Sequence, residues 1–418
     1  MLWHSQHVVS EVSRRWKFLL LTFLAIEVVA AFEESLAPTM PIHHYFPKSD
    51  GPRKRMYPTG KERKYEHKTY SDGYRVEITP SCEAERREME AILLDKANSI
   101  RKAAEVHRRV RRYAQQELIK PGVKLIDICE KLENATRTYL EADKGKAGTK
   151  AGIGFPTGVS LNNCAAHYTS NPGDKTVLKY DDVLKLDFGT HVNGFIVDSA
   201  FTWAPNDKYE TLLEAVKDAT YTGIKEAGID VRLCDVGEAI QEVMESYECV
   251  IDGKTYQVKC VRNLMGHSIE PYRIHAGKSV PIVAGGPSTR MEEGEVYAIE
   301  TFGTTGSGYV REYGDCSHFA LNHAEEMLDG GAQIKMPRAA KLKSFIEKHF
   351  KTLPFCPRYL EWAGQKDYMP ALRHLVESGV VEDYPPLYDT RGSYVAQYEH
   401  TILLRPTCKE IVSQGDDW

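Results

Sequence analysis

The chain has 418 residues, 42% hydrophobic and 27% charged, with a formal net charge of −5. That balance describes a globular protein of one large or two ordinary domains, with ample chain to bury a core. The small negative charge excludes a chain that coats DNA or RNA by bulk electrostatics. The nine cysteines, odd in number and without a CxxC pair, read as reduced cytoplasmic thiols rather than a disulfide framework.

Arg14-Arg15-Trp16-Lys17 precedes an apolar run from Phe18 to Phe32 that Glu27 interrupts. The basic flank, the short apolar stretch and Ala30-Ala31 resemble a secretory signal. The run is short for a bilayer span, which takes about 20 residues. An amphipathic segment is the alternative, so targeting and membrane contact by residues 18–32 stay open. Residues 33 to 80 read as an irregular arm, which makes 1–80 an N-terminal segment distinct from 81–418. The arm is basic: Arg53, Lys54, Arg55, Lys61, Arg63, Lys64 and Lys68 face only Glu62 and Glu66. It is either a solvated stretch or a contact for ribosomal RNA phosphates.

Regular structure begins near Glu83. Ile92, Leu93, Ala97, Ile100, Ala104, Val110, Tyr113 and Ala114 fall at helical spacing up to the stop at Pro121-Gly122. A second helix places Leu125, Ile128, Leu132, Ala135 and Tyr139 on one face. A third carries Leu212, Leu213, Val216 and Ala219 and ends near Gly228. A fourth carries Val236, Ile240, Val243 and Tyr247. The segment from Val123 to Glu130 aligns without gaps on that from Val231 to Glu238. Each helix pair is followed by strands, at 183–204 and at 255–303. The repeated order suggests two similar αβ halves. Residues 336–383 read as a small helical insertion, built on Leu342, Phe345, Ile346, Phe350, Tyr359, Leu360, Trp362, Leu372, Leu375 and Val376. A strand follows at Tyr394–Leu404.

Chemistry concentrates in the strands. Asn193-Gly194 is a hairpin turn between two apolar runs. That turn sets Asp198 opposite Gly189 and puts Asp187 on the same face, diagonal to Asp198, at roughly 7–8 Å between backbones. The two carboxylates could share a cation, or they could face solvent. Glu300 shares a strand face with Val296, Ala298 and Phe302, and Glu399 repeats the pattern near the C-terminus. A buried carboxylate needs a counter-charge, and a salt bridge to lysine or arginine is the alternative to a metal for either glutamate. No basic partner lies within these strands. His267, after Gly266, could supply one nitrogen ligand. Four carboxylates and one imidazole form a hard, oxygen-rich set that suits Mn, Fe or Co at least as well as Zn. Two such ions could activate water and polarise a carbonyl. His167, in a Gly/Asn-rich loop from Phe155 to Tyr168, and His275, in Tyr272-Arg-Ile-His-Ala-Gly277, are each ambiguous alone.

The chain resembles the type 2 methionine aminopeptidases, pita-bread metallopeptidases of family M24, over residues 83 to 418. Seven motifs carry the likeness. They are Phe155-Pro-Thr-Gly, Asn163-Cys-Ala-Ala-His167-Tyr, Lys185-Leu-Asp187-Phe-Gly-Thr, Val197-Asp198-Ser-Ala-Phe, Gly266-His267-Ser-Ile, Tyr297-Ala-Ile-Glu300-Thr-Phe-Gly and Gln397-Tyr-Glu399-His-Thr-Ile-Leu-Leu. The resemblance implies an α/β (α+β) pita-bread fold, with two pseudo-symmetric αβ halves and the insertion at 336–383 inside a catalytic domain at 81–418. It implies a monomeric enzyme that removes the initiator methionine from nascent chains when the next residue is small, with two divalent metal ions (Mn, Fe, Co or Zn) as cofactors. Asp187, Asp198 and Glu399 would hold one ion; Asp198, His267, Glu300 and Glu399 the other. Glu300 would also move protons, His275 would stabilise the oxyanion, and His167 would sit beside the scissile bond. Phe155, Ile274, Phe302, His318 and Tyr384 would enclose the methionine side chain. Met265, Glu270-Pro271 and Pro354 depart from the family pattern at the rim. A prolidase or aminopeptidase P, and a non-catalytic ribosome- or RNA-binding relative, are the alternatives.

Overall fold

The matched octapeptides fold alike. Lys124 precedes helix α2 (Leu125–Leu140) with φ −73° and ψ 141°, and Arg232 precedes α4 (Leu233–Met244) with φ −76° and ψ 137°. Each makes one isolated antiparallel bridge to a residue distant in sequence, Lys124 to Val177 and Arg232 to Arg290. The computed structural model describes residues 35–46, 48, 54–76, 83–142, 150–322 and 334–418. The apolar run at 18–32 lies outside the described residues. The chain divides into the units Met1–Ala37 and Pro38–Trp418, and every helix and strand named here belongs to the second.

In the first half, α1 (Glu83–Tyr113) and α2 pack beside a three-stranded antiparallel sheet of β1 (Ala151–Leu161), β2 (Leu184–Val192) and β3 (Phe195–Trp203). In the second, α3 (Glu210–Glu226) packs beside β5 (Val296–Thr304) and β6 (Val395–Leu404), and α4 beside Ser279–Pro281, the strand that pairs with β4 (Met265–Ile269). Strands β4, β5 and β6 are the centre of a seven-stranded sheet. Helix, helix and strands, repeated, give the pita-bread fold expected from the sequence. The apolar periodicity explains the helix placement: Ala97, Ile100, Ala104 and Val110 of α1 are buried, as are Leu125, Ile128, Leu132, Ala135 and Tyr139 of α2.

Several local readings change. Ile92 is 66% exposed, because the first turns of α1 project beyond the core. The fourth helix ends at Met244, so Tyr247 lies outside it and hydrogen-bonds Asp218 instead. The segment from Phe155 is not a loop. It lies in β1, whose register shifts between Ile153 and Phe155 and between Phe155 and Gly158 make room for Pro156. The turn proper is Asn162, with φ 55°. Residues 54–76, expected as an irregular arm, hold short strands. Lys61–Arg63 adds an edge strand to the large sheet by pairing with Lys409–Ile411, and Lys68–Thr69 pairs with Arg75–Val76.

The two sheets meet where β3 faces β6, and hydroxyls join them. Thr401 Oγ1 accepts from Asp198 N at 2.8 Å and donates to Asp198 O at 2.6 Å. Ser199 Oγ donates to Glu399 O at 2.7 Å, and Thr202 Oγ1 bonds both O and N of Gln397 at 2.8 Å. The insertion contains α5 (Pro337–His349), α6 (Pro357–Trp362) and α7 (Met369–Glu377). Its base is closed by His318–Leu321 pairing with Val381–Tyr384, which sets His318 opposite Tyr384.

Candidate metal centre

The turn at Asn193-Gly194 has positive φ at both positions, 54° and 84°, the conformation a two-residue type I′ hairpin needs. It fixes the predicted register: Asp198 opposite Gly189, and Asp187 opposite Ala200. Strand β5 then brings Glu300 directly opposite Glu399 on β6. His267 on β4 pairs with Ala298, one step diagonal from Glu300. A Cβ at Gly266 would lie 2.4 Å from Ala298 O, so only glycine lets β4 approach β5 this closely.

Five side chains therefore converge. His267 Nε2 stands 3.7 Å from Asp198 Oδ2 and 3.7 Å from Glu300 Oε1, too far for hydrogen bonds and spaced to admit a cation. Asp198, His267 and Glu399 each offer a ligand atom within 4.8 Å of the others'. Asp187 Oδ1, Asp198 Oδ1 and both oxygens of Glu399 are buried with no hydrogen-bond partner. Orphaned carboxylate oxygens at this density are costly unless they bind a cation. Among the described residues, no lysine or arginine forms a salt bridge with Glu300 or Glu399, so that alternative falls. Burial, reinforced by the neighbouring carboxylates, pushes Asp198, Glu300 and Glu399 well above the ordinary carboxyl range. Burial raises Asp187 to about 6. The donor set fits divalent ions.

Gln397 is a member of the site that sequence reasoning missed. Its Nε2 lies 3.3 Å from both Asp187 Oδ2 and Glu300 Oε2. Strand parity could have found it, since it stands two residues before Glu399 on the same face.

The centre floors a cavity of about 380 Å³. Phe155, Ile274, Phe302, His318 and Tyr384 line it, with His167, His275, Met265 and Pro354. The Phe155 ring covers Gly189, where a Cβ would lie 2.4 Å from it. His275 stands edge-on to His267, 4.4 Å between ring centroids. His167, held at φ 64°, lies 5.9 Å from the Tyr384 ring and 6.1 Å from that of His318. Burial lowers His167 to about 3 and His318 to about 4, so both are neutral near pH 7. His275 is pushed down the same way by the surrounding protein, although its ring is exposed to the open cavity. Of the residues expected at the rim, Met265 stands at the mouth, 41% exposed. Glu270 and Pro271 do not reach the cavity; they open a turn that closes back on Arg273.

Residues 98–336 match metallopeptidase family M24, a span of more than half the chain. The chain belongs to metallopeptidase family M24. The M24 match ends where the insertion helices begin, so Gln397 and Glu399 lie beyond it. Among M24 relatives, methionine aminopeptidase 2A of Arabidopsis thaliana is 55% identical over 381 residues, covering 91% of this chain and 81% of its own. Methionine aminopeptidase 2 of Saccharomyces cerevisiae (strain YJM789) is 54% identical over 366 residues, covering 87% of this chain and 86% of its own. Two solved structures share the fold at low identity. A thermophilic Arx1 gives a TM-score of 0.61 at 19% identity, covering 77% of this chain and 91% of its own. A methionine aminopeptidase from Thermotoga maritima gives 0.50 at 18%, covering 81% and 100%. Among the described residues, no helix is long and apolar enough to cross a membrane, and the eight described cysteines are free thiols.

Proposed function

We propose that the protein is a metal-dependent aminopeptidase that removes the initiator methionine from new polypeptides when the second residue is small. The observation that carries this reading is the buried cluster of partnerless carboxylate oxygens beside His267, at the floor of a cavity with an apolar wall. Asp187, Asp198 and Glu399 would hold one divalent ion, and Asp198, His267, Glu300 and Glu399 a second. Mn, Fe, Co and Zn all suit the donors. Bound ions supply Lewis-acid polarisation and lower the pKa of water. Glu300, a carboxyl at the cavity edge, would accept a proton from the attacking water and return it to the leaving amine. His275, neutral at pH 7, donates to the carbonyl oxygen as charge develops there. His167 lies beside the scissile amide. Phe155, Ile274, Phe302, His318 and Tyr384 hold the methionine side chain, and Met265 meets the residues that follow it.

The protein would act as a monomer, since one chain supplies every site residue, and in the cytoplasm, where its free thiols would stay reduced. Ribosome contact would fall to Lys61, Arg63 and Lys64, because Lys54 and Lys68 already pair with Asp95 and Glu226 at 2.6 and 2.7 Å. The test is peptide cleavage by protein loaded with Mn²⁺ or Co²⁺. Methionine should be released from Met-Ala and Met-Gly peptides, slowly or not at all from Met-Leu peptides, and not by Asp187→Asn. Preference for Xaa-Pro substrates would make it a prolidase, and a folded, metal-loaded protein inert towards Met-Ala would overturn the reading.

A further inference from the structure

Among the described residues, no hydrogen bond holds the His275 side chain. The residue is exposed to the open cavity, and its ring stands 4.4 Å from that of His267 and 6.2 Å from that of Tyr384. Its placement therefore depends on the backbone that carries it. That backbone begins in a tight turn, Glu270-Pro271-Tyr272-Arg273, in which Glu270 and Arg273 exchange backbone hydrogen bonds at 3.0 Å. Proline presets the first central position of such a turn, and a positive φ at the second ordinarily calls for glycine. Here the second position is Tyr272, with φ 60°. A bulky side chain in this region is strained and persists only where its surroundings fix it.

Those surroundings come from two other parts of the molecule. In the first half, Gly194 O accepts from Tyr272 N at 2.9 Å, and the tyrosine ring lies over Gly194, where a Cβ would come within 2.4 Å of it. From the insertion, Lys351 Nζ stands 3.8 Å from the centroid of the ring, and Thr352 Oγ1 donates to Tyr272 O at 2.6 Å. Lys351 is itself held at φ 54°. Pro354, two residues beyond Thr352, lines the cavity, as do Ile274 and His275, two and three residues beyond Tyr272. The hairpin turn, the 270–277 loop and the insertion thus meet on one residue.

We propose that Tyr272 is a positioning residue. Clamped by Gly194, Lys351 and Thr352, it sets the height of Ile274 and His275 over the cavity and couples the insertion to the reaction. This rests on the aminopeptidase reading. Ring–cation contact and a short hydrogen bond hold the turn from above, and the hairpin turn holds it from below. A misplacement of about 1 Å at a reacting group costs on the order of 100-fold in rate.

Tyr272→Gly keeps the turn's backbone and removes the ring; Thr352→Val removes the hydrogen bond alone. With metal-loaded protein and a Met-Ala peptide, Tyr272→Gly should lower kcat roughly 10–100-fold and raise KM as Ile274 shifts in the methionine pocket, with Mn²⁺ affinity changed far less. Tyr272→Phe, which keeps the ring against Gly194, His191 and Lys351, should retain most of the rate. In a His275→Ala background, Tyr272→Gly should add little, since both act through one group. Independent losses in that double mutant, or an undiminished kcat in Tyr272→Gly, would overturn the proposal. Hydrogen–deuterium exchange decides it without any activity: residues 270–277 should exchange faster in both Tyr272→Gly and Thr352→Val, and unchanged exchange refutes the clamp. Wild-type protein that cleaves no Met peptide would refute the aminopeptidase reading alone, leaving the exchange result to judge the clamp.

Discussion

Asp187 shows what burial does to a carboxyl. Its carboxyl is held by burial at about 6, against an ordinary 3.8. An acid whose folded pKa lies above its unfolded value stabilises the fold below the unfolded pKa and loses that contribution as pH rises through the folded one. For Asp187 the window runs from about pH 4 to about pH 6, so metal-free protein at pH 7 bears a charge that costs up to roughly 3 kcal/mol. Asp187→Asn, still able to accept from Gln397, should therefore raise the Tm of the metal-free protein at pH 7. The gap from wild type should close as pH falls towards about 4. The same substitution should remove much of the stabilisation by added metal, which reaches about 2.7 kcal/mol at 100 times Kd. Calorimetry with and without Mn²⁺ checks both; a metal-free variant less stable than wild type at pH 7 would count against the account. At this scale much was legible. The Asn193-Gly194 turn is local chemistry, and it alone set Asp187 diagonal to Asp198. That Glu300 faces Glu399 was not legible, because the two strands are remote in sequence and pair only through the sheet.

The elements are joined at the seam between β3 and β6, where side-chain hydroxyls bond the facing backbones of the two halves. Thr401 does the most, serving both the N–H and the C=O of Asp198. Thr401→Val keeps the shape and strands two buried backbone groups, each worth about 1–3 kcal/mol when unsatisfied. Urea unfolding should show a loss of roughly 2–6 kcal/mol by that arithmetic, and Thr401→Ser should recover most of it. An equal loss in both variants would assign the effect to packing rather than to the hydrogen bonds. Alternation in β5 and β6 told which faces their glutamates share, but nothing local marked the hydroxyls as a seam. Strand β1 was missed for a different reason. Phe155-Pro-Thr-Gly carries loop residues, and the strand tolerates them through its register shifts beside β2. Lys61–Arg63, three charged residues, is a strand because Lys409–Ile411 supplies its partners.

Across the whole molecule, the insertion is tied to the first half by a charge pair without solvent. Arg358 and Glu133 are both fully buried, 2.5 Å apart, and Tyr359 adds a hydrogen bond to Glu133 at 2.8 Å. The same guanidinium reaches Ser170 O and Thr169 Oγ1, bracing the segment that follows His167. Removing one partner of a buried pair costs about 3–5 kcal/mol, because the other charge is left unpaired. Arg358→Met should cost that much in chemical denaturation and open the insertion to limited proteolysis. Adding Glu133→Leu should recover part of the loss; no recovery would show that the arginine acts by packing or through its bonds to Thr169 and Ser170 alone.

What the sequence determined by itself was whatever depends on near neighbours. Helical periodicity, the matched octapeptides, the hairpin turn and the parity of the acidic residues all follow from backbone geometry within a few residues. They suffice to read two αβ halves, an insertion and four carboxylates with one histidine. The tertiary structure decided where those pieces meet. It set Glu300 against Glu399, slid Gln397 between Asp187 and Glu300, turned charged residues near the N-terminus into a sheet edge, and stacked Lys351 on a strained Tyr272. Each of these joins segments far apart in sequence. Such contacts form only when whole apolar faces are buried together, and no local pattern encodes the partner.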